Sequence, residues 1–305
     1  MGSLRSMLYQ FARFISTIYV LALLISCQGK PSVFPAIDQK VFNDYWYQDK
    51  AEISSYELTQ SRYGSAHEGK VVLIFVVEDM SKSRQVKLDD PSKHPTDDIK
   101  VMKMNMNKEF ITGIYKYSMM NSVFTPVDYT EYSHSLKLVA SSQDWCGQTF
   151  TQYNWKGNRY EVQQMSYFES EGDKSYELTN AWLEDEIWSK IRVAPNTLPV
   201  GETEMIPSAF YIRLSHQENK IYKAETSLKL MGEEYTYSIF YPELNRTMEI
   251  NFQSVFPYKI MSWKEIYGEN EITMAHISNT IMSDYWKHNQ PGDEVMREEL
   301  KLDKK

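Results

Sequence analysis

The chain has almost no cysteine. Cys27 and Cys146 are the only two in 305 residues. If Cys27 is used for something else, Cys146 has no partner. No disulfide can then staple the fold, and a hydrophobic core must hold it. A long apolar run is missing too: the run at 14–25 is about a dozen residues, where a membrane-spanning helix needs roughly 20. There is no excess of positive charge. Lys and Arg number 33 against 41 Asp and Glu, a net charge of −8. That excludes the basic surface nucleic acid requires, and it leaves no charge-driven attachment to anionic lipid headgroups. Catalytic signatures are absent as well: no GxSxG, SxxK, Walker A or GxGxxG pattern occurs. The histidines His67, His94, His134, His216, His276 and His288 form no HxH, HExxH or HxxxH pair, so a metal site has no local seed. No cofactor is expected.

What is present begins with an address. Arg5 and Arg13 are the only charges before Cys27, and the apolar run at 14–25 suits a signal h-region of about 7–15 residues. It ends Leu24-Ile25-Ser26-Cys27, an aliphatic and a small residue before a cysteine, which looks like a bacterial lipobox. The expectation is cleavage before Cys27 and lipid on its thiol. Two or three acyl chains anchor stably where one does not. Residues 1–26 are then the signal and 27–35 a lipidated tether. The mature chain keeps 279 of the 305 residues, and losing Arg5 and Arg13 takes its charge from −8 to −10. No Asp follows Cys27, so by similarity to lipoprotein sorting rules the expected address is the outer membrane, facing the periplasm.

The 14% aromatic content, with 22 Tyr, favours β-structure. Residues 51–89 read as consecutive strands, with a buried run at 70–77, a turn at 79–83 and a returning strand at 84–88. Residues 88–98 are a polar loop whose Asp89, Asp90, Asp97 and Asp98 lack the alternating spacing of a calcium loop. Met102, Met104 and Met106 alternate with Lys103, Asn105 and Asn107, the period of a half-buried strand. Further strands are expected at 111–123, 135–141, 148–155 and 159–168. One helix is predicted over 180–192, with Leu183, Ile187 and Ile191 on one side and Glu184, Asp185 and Glu186 on the other. Thr179 or Asn180 is placed to cap it, and Pro195 and Pro199 stop it. Five more strands follow at 209–214, 221–230, 235–241, 246–253 and 258–267, then a short helix at 293–300. The expected fold is mainly β: a curved antiparallel sheet, half-barrel or sandwich, with one mid-chain helix and a short C-terminal helix. It divides into an N-terminal β-rich half at 36–178 and a helix plus C-terminal β-rich half at 179–305, which can be one continuous domain.

Two features could carry chemistry. Cys146 sits in Asp144-Trp145-Cys146-Gly147-Gln148, but position 149 is Thr, so thioredoxin-like dithiol exchange is excluded. A buried thiol acting as a small hydrophobe is the expected reading; a nucleophile served by His134 or another histidine is the alternative. The second feature is aromatic: Tyr45-Trp46-Tyr47, Tyr115 with Tyr117, and Trp145 with Tyr153 and Trp155. Gln148, Thr149, Thr151 and Gln152 add a polar strand face around Phe150. These rings can simply fill a β core, or they can line a cavity. The candidate ligand-binding residues are Tyr115, Tyr117, Trp145, Gln148, Gln152 and Trp155.

Tyr45-Trp46, the run Lys116-Tyr117-Ser118-Met119-Met120, the run from Ser141 to Gly147, and Asp284-Tyr285-Trp286 together resemble a family of Bacteroidota lipoproteins. Some members carry the label "septum formation inhibitor Maf". Maf proteins are cytoplasmic α/β nucleotide pyrophosphatases with a Ser- and Arg-rich opening, whereas this chain opens on a lipobox and reads as β. The hairpin rhythm is also loosely similar to half-barrel lipoprotein carriers of the LolA/LolB type, which hold acyl chains in a curved sheet. The leading expectation is a non-enzymatic periplasmic lipoprotein that binds an apolar or amphipathic ligand or an envelope protein. A Cys146-dependent hydrolase or transferase is one alternative. A structural component of an envelope complex, such as a cell-division assembly, is the other. The membrane is a partner through the lipid anchor, and nucleic acid is not. In a bacterial host, the N-terminal peptide is expected to carry the mass of an acylated Cys27, and Cys27→Ala is expected to move the protein from the membrane pellet to the soluble fraction; an unchanged pellet would refute the anchor.

Overall fold

Apolar side chains recurring at every second residue make strands, and here they build a single sheet. The computed structural model describes residues 34, 35, 37–268 and 271–302. The expected signal and Cys27 lie outside the described residues. Helix α1 (Gln39–Trp46) leads into β1 (Ala51–Arg62), β2 (Ser65–Ser81), β3 (Asp98–Thr112), β4 (Tyr115–Pro126), β5 (Lys137–Asp144), β6 (Gly147–Trp155), β7 (Arg159–Ser166) and β8 (Lys174–Thr179). The chain continues with β9 (Trp182–Leu183), α2 (Glu184–Val193), β10 (Gly201–Ile206), α3 (Ala209–Ser215), β11 (Tyr222–Met231), β12 (Glu234–Tyr241), β13 (Arg246–Gln253), β14 (Ile260–Tyr267), β15 (Glu271–Ser283) and α4 (Val295–Glu299). The strand order is β8-β7-β6-β5-β4-β3-β2-β1-β15-β14-β13-β12-β11-β10-β9. The two β-rich halves are thus joined through β1 and β15 into one curved, unclosed sheet, a half-barrel and not a sandwich. Every pairing is antiparallel except the two-residue one between β9 and β10.

The expected mid-chain helix is α2, and it lies in the hollow of the sheet. All ten of its residues are buried. Trp188 meets Trp263 of β14 edge-on at 5.2 Å, and the Arg192 guanidinium lies 4.7 Å from the Phe75 ring of β2. The side with Glu184, Asp185 and Glu186 is buried as well and meets polar partners. Glu184 takes two hydrogen bonds from Arg246, at 2.6 and 2.7 Å, and one from the Tyr241 hydroxyl at 2.8 Å. Arg192 donates to both oxygens of Glu52 at 2.7 and 2.6 Å and to the Pro257 carbonyl at 2.8 Å. Glu186 accepts from the Ser135 amide at 2.5 Å and lies 3.2 Å from His134 Nδ1. Lys190 donates to the Ser133 carbonyl at 2.6 Å. Buried charges persist only when paired in this way, and amphipathic periodicity does not record such partners. The cap differs as well. Leu183 occupies the N-cap, and its amide is taken by Glu186 Oε1 at 3.1 Å, not by Thr179 or Asn180.

Several expected boundaries shift. Residues 84–88 make only an isolated bridge between Met80 and Lys87, because the loop folds over and its Gln85 side chain bonds the Trp155 carbonyl and Asn154. The segment 111–123 is not one strand. Gly113, at φ 59°, and Ile114 turn it into the β3–β4 hairpin, since glycine takes a positive φ at the first central position of a two-residue turn without strain. Residues 209–214 form helix α3, not a strand. β8, β10 and β15 were not expected at all. In β15 most side chains are only half-buried, which blurs the alternation. The C-terminal segment with Tyr285, Leu300 and Leu302 packs on Ala51, Ile53 and Val76 of the outer face.

Asp185 is a charge on α2 that the core disfavours. Burial raises its carboxyl to about 6, although the Ala209 amide and the Ser208 hydroxyl, each 2.8 Å away, pull the other way. The unfolded value is about 3.9, so the protonated form stabilises the fold fully below about pH 4, and that contribution is lost as pH rises through 6. Asp185→Asn keeps the shape and the bond from the Ala209 amide, and its NH2 can donate to the Ser208 hydroxyl once that hydroxyl turns to accept. It is expected to raise stability by up to about 3 kcal/mol at pH 8 and by much less at pH 4. Urea unfolding at the two pH values checks this, and a gain independent of pH would contradict it.

Candidate functional site

A continuous register row shows which part of the concave face α2 leaves open. Glu52, Phe75, Met104, Val123, Leu138, Tyr153, Val162 and Tyr176 lie opposite one another from β1 to β8. Glu52 and Phe75 touch Arg192 of α2, so the whole row shares the inner face. At its far end, on β6–β8, α2 no longer covers the sheet. There a cleft of about 840 Å³ opens between Thr149, Thr151, Tyr153, Gln164, Tyr176 and Leu178 on one wall and Ala209, Ile212 and Arg213 of α3 on the other. The volume falls in the range of about 300–1,000 Å³ found for small-molecule sites.

Helix α3 is set in place by α2. Ser208 caps α3 and donates to Asp185, and the Ala209 amide donates to the same carboxylate. The chain leaves α3 through His216 in the left-handed conformation, φ 55°. The following loop closes one side of the cleft, where Asn219 Nδ2 donates to the Tyr153 hydroxyl at 2.6 Å. Burial pushes the Tyr176 phenol to about 12, so both tyrosines stay neutral. The mouth is charged. Glu171 accepts from Ser166 at 2.7 Å, lies 3.0 Å from His216 Nδ1 and 3.5 Å from Arg213. Burial opposes ionisation of Glu171, but these neighbours outweigh it and hold its carboxyl below the usual range. Arg213 is nine-tenths buried, reaches Asp144 only at 3.8 Å and stacks 4.5 Å from the Phe168 ring. Arg213 Nε and Asn219 Oδ1 are buried without a hydrogen-bond partner. Buried polar groups normally have one, so these two atoms are left unsatisfied within the side chains that line the cleft.

The candidate residues named from sequence divide into three places. Tyr115, Tyr117 and Trp145 gather at the hairpin tips: Tyr115 lies 5.7 Å from Tyr117 and 6.4 Å from Trp145. Tyr117 is buried, stacked 4.7 Å from Phe110, while Trp145 is 72% exposed. Gln148 and Gln152 alternate with Thr149, Thr151 and Tyr153, so they lie on the outer face; Gln152 donates to Asn154 at 2.7 Å. Trp155 packs on His134 and Tyr160 at 4.7 and 4.8 Å. None of the six lines the cleft, although Thr149 and Thr151 on the same strand do.

Cys146 is exposed and free, not the buried thiol that was expected. It forms the two-residue β5–β6 turn with Trp145, where Asp144 Oδ1 accepts from the amides of Cys146 at 2.6 Å and Gly147 at 3.2 Å. A side chain on Gly147 would meet the Tyr167 ring at 2.8 Å, which is a reason for glycine after the cysteine. His134 lies beyond the opposite end of β5, whose 8 residues at about 3.4 Å each separate it from Cys146 by roughly 25 Å.

The α3 side of the cleft escaped sequence reading because Phe210, Tyr211 and Ile212 favour strands in isolation. The available signal was Ser208, an N-cap residue, ahead of Phe210 and Leu214 at helical spacing. With the thiol exposed, native protein is expected to titrate Cys146 with DTNB at the same stoichiometry as urea-unfolded protein; a thiol that reacts only after unfolding would contradict the turn geometry. Compared with protein-family models and with curated proteins, the chain matches none, so its functional reading rests on its own residues and geometry.

Proposed function

We propose that this protein is a lipid-anchored envelope protein of the outer membrane, facing the periplasm, that binds a small amphipathic molecule in the cleft between β6–β8 and α3. The observation that carries the reading is the lining of that cleft. Tyr153, Tyr176, Leu178, Ala209 and Ile212 supply apolar surface on both walls, while Thr149, Thr151 and Gln164 on one side and Glu171, Lys174, Arg213, His216 and Lys220 at the mouth supply polar groups. An apolar body with a polar head meets complementary chemistry at both ends there. The hollow of the sheet itself is filled by α2, so a ligand would sit at the end of the sheet and not inside it as in a LolA-type carrier.

Binding without catalysis is the simpler reading. Cys146 stands on a turn whose nearby carboxylate, Asp144, accepts from the backbone, and no described hydrogen bond reaches the sulfur. A nucleophile needs a base within about 2.6–3.2 Å. Native mass spectrometry and solvent extraction of protein purified from its membrane are expected to show a co-purifying lipid-like species. Thr151→Trp, which fills the cleft from β6, is expected to cut its retention at least tenfold with unchanged circular dichroism. An empty wild-type protein, or a bound species retained equally by the variant, would overturn this site.

A further inference from the structure

Three exposed apolar side chains lie at the end of the sheet nearest α1. Leu230 and Met231 close β11 and are 55% and 67% exposed; Val255, in the loop between β13 and β14, is 67% exposed. The two turns touch. Met231 pairs with Glu234 across Gly232-Glu233, and the Ser254 amide donates to the Glu233 carbonyl at 3.0 Å. Helix α1 packs on the same loop, with the Phe42 and Tyr45 rings 6.2 and 5.6 Å from Phe256. Val41, next to Phe42, is 49% exposed. The chain therefore enters the domain beside this apolar tip. Exposed large apolar residues scattered singly need no explanation, but a cluster at one end does.

From this placement we infer that the tip formed by Val41, Leu230, Met231 and Val255 sits in the interface of the phospholipid bilayer that holds Cys27. The inference rests on the lipid-anchor reading above and adds a second membrane contact to it. Asp38, the N-cap of α1, lies eleven positions after Cys27, and a chain of that length reaches at most about 40 Å. The sheet is longer than that: the 17 residues of β2 span roughly 56 Å at about 3.3 Å each. The end bearing α1 is thus the end that the tether keeps nearest the bilayer, and the hairpin tip at Ile114 is the remote one. Aliphatic and thioether side chains at the headgroup boundary bury apolar area, while Glu233, exposed in the same turn, would stay among the headgroups. They would also fix the orientation of the domain, which a single point of attachment would leave free.

Spin labels at Met231→Cys and Val255→Cys, each in a Cys146→Ser background, test the contact, with Ile114→Cys, 82% exposed in the wild type, as the remote control. The acylated full-length protein is reconstituted into vesicles of phosphatidylethanolamine and phosphatidylglycerol. Collision rates with oxygen and with a water-soluble nickel chelate are then read by electron paramagnetic resonance. The expected result is a several-fold higher oxygen-to-nickel ratio at 231 and 255 than at 114. Labels at 231 and 255 as water-accessible as that at 114, on protein whose N-terminal peptide carries the acyl mass, would overturn the tip contact alone. An N-terminal peptide with unmodified Cys27 would overturn the anchor and the tip contact together.

Discussion

Helix α2 carries Glu184, Asp185, Glu186, Lys190 and Arg192 into the interior of a β-sheet, and the pairing of those charges with the sheet is the constraint on which the fold depends. Two of the contacts are bidentate, Glu184 with Arg246 and Arg192 with Glu52, the geometry that suits a planar guanidinium best. Arg246 also reaches Glu265 at 2.7 Å, so one cation serves two carboxylates. Such pairs add little net stability over apolar residues of the same shape. Removing one partner, however, typically costs about 3–5 kcal/mol, because the other charge remains buried. Their effect here is to fix where the helix lies. Glu52 is on β1 and Arg246 on β13, so α2 is held against both halves of the sheet at once.

That placement decides where a ligand could go. A curved sheet with an apolar inner face invites a central cavity, but the inner row from Glu52 to Val123 is taken by α2. Only the row's continuation on β6–β8 is left open. Asp185 extends the influence of α2 further by holding the first residues of α3, which become the second wall of the cleft. The same carboxylate that is strained by its burial thus positions the candidate site.

Much of the fold was legible from residue spacing. The alternation of Met102, Met104 and Met106, the strands at 148–155 and 159–168, and the apolar positions of α2 are local patterns, and local patterns survive in sequence. Less of the site was legible. Trp145 drew notice as an aromatic and lies exposed on a turn, whereas Thr149 and Thr151, two unremarkable threonines, line the cleft. Arg213 and Ile212 were hidden in a segment whose composition suggests a strand. Their significance depends on Ser208 meeting Asp185, 23 residues earlier in the chain, and no periodicity encodes that meeting.

By itself the sequence determined the β-rich class, the hairpin rhythm, the lack of any disulfide once Cys27 is committed, and the presence of one mid-chain helix. Each follows from side-chain period, turn chemistry or a count of residues, which are properties of short stretches of chain. Tertiary structure alone decided that β1 pairs with β15, that the acidic face of α2 turns inward, that Cys146 is exposed, and that a cleft remains beside β6–β8. Those outcomes depend on which distant partner satisfies a buried charge or an unpaired strand edge. A linear pattern states that a charge exists, but not what neutralises it.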